Sequence, residues 1–71
     1  MPAPAIPDAV AFGARLRALR TARGWTQAQL AGRAGCSTDY LGQIERGWAP
    51  HVKVIYALAR ALGVSVLALR D

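Results

Sequence analysis

The stretch Thr26–Arg46, TQAQLAGRAGCSTDYLGQIER, decides how the rest of the chain is read. It predicts two short helices joined by a tight turn. Thr26 is a good N-cap, and Gln29, three positions on, completes a capping box in which each residue satisfies a free backbone N–H of the other. Leu30 and Ala34 mark one apolar face. Gly35 supplies the left-handed backbone position that ends the first helix. Ser37 caps the second, whose apolar side is Leu41 and Ile44, and Gly47 stops it. Ala31 is small where the two helices would cross.

Working outward, Asp8 caps a helix over Asp8–Arg23 in which Phe12, Leu16 and Leu19 recur at helical spacing as a buried stripe. Arg15, Arg17 and Arg23 lie off that stripe and are expected to be solvated. Trp25 precedes the Thr26 cap and is expected to pack on Leu30 as a hydrophobic staple. The device repeats: Cys36 before Ser37 faces Leu41, and Val64 before Ser65 faces Leu69. Cys36 is therefore expected to be a buried, inert thiol rather than a redox sensor. Trp48, in the short loop before Pro50, either covers the core edge or lies beside a phosphate, and the first is favoured. His51 starts a helix to about Leu62 with Val52, Ile55, Leu58, Ala59 and Leu62 inward. Gly63 ends it, and Ser65–Arg70 makes a short last helix. Met1–Pro7 alternates proline with small residues and is expected to be an extended, flexible arm.

Seventy-one residues make one small domain, residues 8–71 after the arm. A chain this short buries only about 60% of its unfolded surface, which leaves little room for an internal cofactor cavity. Nine basic residues against four acidic leave a net charge of +5, and eight of the nine are arginine, whose planar fork suits phosphates and guanine edges. The alternative from charge alone is a soluble basic surface without a target. One cysteine rules out an internal disulfide and a thiolate metal cluster, and points to a reducing cytoplasm. The apolar stretches are broken by Lys53, Arg60 and Gly63, so no membrane span is expected. No carboxylate pair, nucleophile–base constellation or phosphate-binding glycine loop is visible, so neither an enzyme nor a cofactor or metal site is expected.

The order of small, apolar, glycine and cap residues in Thr26–Arg46 is that of a helix-turn-helix. The surrounding segments LRALRTARGWTQAQLA, GCSTDYLGQIERG, Pro50 and LARALGVSV extend the pattern over Phe12–Leu69. Together they resemble the lambda-repressor-like family, also called the Cro/repressor or xenobiotic-response-element family. The loop before Pro50 is one residue shorter than the family usually has. The resemblance implies an all-α, five-helix domain that binds duplex DNA sequence-specifically as a small transcriptional regulator, a repressor acting as a dimer.

Leu41 and Ile44 fix which side of the second motif helix faces inward, and leave Thr38, Asp39, Gly42 and Gln43 outward; the resemblance makes these the base-facing positions. Gln43 suits adenine, Asp39 suits cytosine N4 and Thr38 a thymine methyl, whereas Gly42 permits close approach without reading a base. Gln27, Ser37, Tyr40 and Arg46 are placed for phosphates, Gln27 at a helix N-terminus that itself favours an anion; Arg33 either joins them or is a solvated charge. The resemblance also implies an ion pair between Arg20 and Glu45. Val66, Leu67 and Leu69 crowd a helix too short to bury them all, and are expected to form a two-fold homodimer contact on a palindromic operator in the cytoplasmic nucleoid. The other reading of the same fold is a protein-bridging or antitoxin module with a partner protein.

Overall fold

The computed structural model describes Asp8–Arg70; the expected arm over residues 1–7, and Asp71, lie outside the described residues. Five helices follow in order: α1 (Ala9–Ala22), α2 (Gln27–Ala34), α3 (Thr38–Glu45), α4 (Val52–Leu62) and α5 (Val66–Arg70). The fold is all-α. Local capping chemistry sets most of the boundaries. Asp8 Oδ1 accepts from the N–H groups of Val10 and Ala11. Thr26 and Gln29 form the reciprocal capping box, Ser37 Oγ accepts from Tyr40 N–H, and His51 Nδ1 accepts from Lys53 N–H. Gly35, at φ 77°, makes the left-handed step that ends α2 and turns the chain toward α3.

Phe12, Leu16, Leu30, Leu41, Ile44, Ile55, Leu58 and Leu69 are fully buried and form the core. Ala31 is almost fully buried, as its small size at the motif crossing requires. Trp25, Cys36 and Val64, each preceding a cap, pack partly buried against this core. Burial pushes the Cys36 thiol pKa up, against a smaller opposing effect of a backbone hydrogen bond, so less thiolate is present to react. No helix among the described residues is long and apolar enough to cross a membrane.

One determinant of the packing has no local signature. An added Cβ on Gly13 would run into the backbone carbonyl of Ile44 and stand 3.0 Å from that of Glu45. Only a residue without a side chain lets α1 approach the end of α3 this closely.

Four expectations are corrected by the packing. Arg15 is not simply solvated: its Nε donates to Leu69 O at 2.9 Å and its Nη2 to Arg70 O at 2.7 Å. Arg23 likewise donates from Nη1 to Leu19 O and from Nη2 to Leu62 O. Both satisfy carbonyls at helix ends that have no partner within their own helix. Trp48 does not cover the core edge; it is 61% exposed. Leu69 is no dimer contact, because it is fully buried in its own domain. The positional reason is plain: α5 packs against both α1 and α4, and Leu69 belongs to the core cluster of the domain.

Candidate nucleic-acid interface

The interface is built on α3. Leu41 and Ile44 anchor one side in the core, and Thr38 and Asp39 stand exposed in the first turn. Gln43 follows one turn later, half-buried. Such spacing presents polar side chains from successive turns along one edge of a rigidly held helix.

What holds α3 is a buried polar cluster. Arg20, on α1, meets Glu45 in a two-pronged contact, Nε to Oε2 at 2.6 Å and Nη2 to Oε1 at 2.9 Å. The side chains retain only 10% and 4% of their exposure. Arg20 Nη1 also donates to Trp25 O at 2.8 Å, tying in the link before α2. Gln27, the first residue of α2, donates from Nε2 to Glu45 Oε1 at 3.1 Å. One carboxylate thus joins three helices. Burial alone would raise the Glu45 pKa, but the hydrogen bonds from Arg20 and Gln27, with the charges of Arg20 and Arg17, outweigh it and hold the group below its ordinary value. The hydrogen bond to Glu45 in turn raises the Arg20 pKa, against the opposing effect of burial and with added help from the Glu45 charge. Both groups are therefore ionised at neutral pH.

Arg46, the C-cap of α3, is exposed. Among the described residues the one ion pair is Arg20–Glu45, so no carboxylate neutralises Arg46. A guanidinium without an ion-pair partner among the described residues and the Gln27 amide therefore lie beside the polar edge of α3. This is a surface for a polyanion with readable edges.

Residues 11–71 match the helix-turn-helix domain family. The chain belongs to that family. Its lambda-repressor-like character is carried by the solved structures it superimposes on. The restriction-modification controller protein C.AhdI of Aeromonas hydrophila aligns with a TM-score of 0.83 and 42% identity, over 86% of this chain and 94% of that one. The biofilm master regulator SinR in complex with DNA aligns at 0.80 and 32%, over 84% of this chain and 98% of that one. The immunity repressor of Bacillus phage phi105 is 43% identical over 58 residues, which are 80% of this chain but 40% of the repressor. The chain thus spans less than half of that relative's length.

Within this helix-turn-helix domain the predicted contact residues fall into three groups. Thr38, Asp39 and Gln43 share the polar edge of α3, with Gln27 and Arg46 beside them. Ser37 and Tyr40 carry structural duties as well: Ser37 caps α3, and Tyr40 Oη accepts the His51 N–H at 2.7 Å, keeping its own hydrogen to donate. Gly42 and Arg33 stand apart from these. Gly42 is buried rather than outward, covered by the tips of Gln27 and Arg46. Arg33 lies at the far end of α2, with its guanidinium 4.2 Å from the Trp25 ring centroid, a cation–π contact away from Gln27. The tie between Gln27 and Glu45 was also not foreseen, since no sequence signal pairs residues 18 positions apart.

Proposed function

We propose that this domain binds duplex DNA sequence-specifically as a small transcriptional regulator, acting in the cytoplasm as a repressor. The observation that carries the reading is the exposed polar edge Thr38–Asp39–Gln43, locked from behind by the buried Arg20–Glu45 pair and flanked by an unneutralised Arg46. A helix held this way enters the major groove with its first turns toward base edges. Gln43 pairs with adenine, Asp39 accepts from cytosine N4, and Thr38 meets a thymine methyl. Gln27 and Arg46 hold phosphates, with Ser37 and Tyr40 at the margin. The SinR–DNA complex and the phage immunity repressor support the DNA-binding reading by likeness.

The active form is a two-fold dimer on a palindromic operator. Leu67 is 60% exposed on α5, and half-buried Val66 adds to the same end. Self-association there sets two reading helices about 34 Å apart, one turn of DNA.

Selection from a random duplex pool, followed by binding isotherms at several salt concentrations, tests the reading. Gln43→Ala should lose about 1–3 kcal/mol on the selected site and little on a scrambled one. Arg46→Ala should weaken both and lower the salt slope by about one unit per bound chain. A wild-type protein with no salt-dependent affinity for any duplex would end the DNA reading and leave a protein-bridging module as the account.

A further inference from the structure

We infer that Gly42 is a positioning residue for DNA binding: its bare backbone is the seat on which Gln27 and Arg46 converge to hold one phosphate as a unit. The inference rests on the DNA-binding reading above. An ideal Cβ on Gly42 would stand 3.2 Å from Arg46 Nη1, 3.6 Å from Gln27 Oε1 and 3.8 Å from Gln27 Nε2. Gln27 opens α2 and Arg46 caps the end of α3, so the two tips come from different helices. They meet over the one buried position of α3 that lacks a side chain between them.

The chemistry of the seat suits a phosphate. Glu45 accepts one hydrogen of Gln27 Nε2, which fixes the amide and leaves its second N–H to donate. Glu45 is otherwise occupied by Arg20, so it does not draw the neighbouring Arg46 into an ion pair. A guanidinium and a fixed amide then meet over the same spot, two donors for one phosphate. A Cβ at position 42 would make the Arg46 tip give way by a few tenths of an ångström, away from the place where it meets Gln27. The arginine is flexible enough to move, so such a change should displace the clamp without unfolding the domain.

Gly32 provides the control. It also lies inside a helix, on α2, but a Cβ there would meet nothing within 4 Å. Alanine is the better helix residue at either position if only the fold matters. The experiment compares Gly42→Ala, Gly32→Ala, Arg46→Ala and the Gly42→Ala/Arg46→Ala double variant. Each is melted and titrated against a duplex selected from a random pool and its scrambled counterpart, at several salt concentrations. Gly32→Ala should raise Tm by about 4–8 °C and bind as wild type. Gly42→Ala should melt no lower than wild type yet bind both duplexes several-fold more weakly, a smaller loss than that of Arg46→Ala. In the Arg46→Ala background the glycine substitution should add no further loss, because the contact it disturbs is already gone. Wild-type affinity for Gly42→Ala would overturn the inference. So would a Tm well below wild type, or a loss that persists in full without Arg46. If wild type itself binds no duplex, the DNA reading fails; if it binds and Gly42→Ala is unaffected, only the positioning role fails.

Discussion

At the α2–α3 corner a single carboxylate, Glu45, gathers Arg20 and Gln27; at the α4–α5 end, Arg23 and Arg15 instead bind the carbonyls that terminate those helices. Both devices use arginine, but only the first contains a group that titrates in acid. The corner is also the more buried of the two, so removing one partner there strands a charge away from water. At the other end, an arginine removed strands no charge and leaves only neutral carbonyls without that partner. The reading surface is thus held by the tie whose loss leaves a buried charge, and the outer helices by one whose loss leaves only neutral groups.

The sharpest way to break this contrast is Glu45→Ala. It strands Arg20 in a site where its side chain keeps 10% exposure. The expected cost is about 3–5 kcal/mol, read as a large drop in Tm. For a domain this small that is a large share of the total stability. An unchanged melting temperature would show the pair to be no more than a surface contact, of the kind worth under about 1 kcal/mol.

Acid should separate the two ends next. The Glu45 pKa is lower in the folded protein than its ordinary value of 4.5. Its contribution is therefore fully present above that value, and is lost as pH falls through the depressed folded pKa. Tm should fall over this range in wild type, and the Glu45→Gln variant should lack that part of the dependence. The arginine–carbonyl contacts have no acid-titrating member, so Arg15→Ala should leave the same pH dependence in place.

Arg15→Ala itself should cost about 1–2 kcal/mol, from two charge-assisted hydrogen bonds to part-buried carbonyls. Urea unfolding measures it. A cost as large as that of Glu45→Ala would erase the distinction drawn between the ends.

The smallest effect on stability is expected at Leu67. Leu67→Ser removes an exposed side chain and should change monomer stability by less than about 0.5 kcal/mol. On DNA, however, sedimentation should show one chain where wild type shows two. A dimer that survives Leu67→Ser would place the contact elsewhere than α5.

The helices themselves were legible because their signals are local. Thr26 with Gln29, Ser37 with the N–H of Tyr40, and Asp8 with those of Val10 and Ala11 each act within three residues, and Gly35 needs only its own backbone. The period of Phe12, Leu16, Leu30, Leu41, Ile44 and Leu58 likewise follows from helix geometry once the boundaries are set, and all six are buried. The Arg20–Glu45 pair came from family likeness rather than from any local rule, and the geometry bears it out.

What escaped the sequence depends on how helices cross. Gly13 is needed because the end of α3 passes over it, and Gly42 is covered because two tips from different helices fold across it. Arg15 looks solvated on a helical projection until α5, 54 residues on, brings its last carbonyls within reach. Leu69 looked spare on a short helix until α1 and α4 closed around it, whereas Trp48, hydrophobic by composition, was left exposed. Caps and periodicity are decided by neighbours a few residues away. Close approaches, carbonyl partners and the burial of a particular side chain are decided by Cβ-scale distances between segments far apart in the chain, and those exist only once the helices have packed.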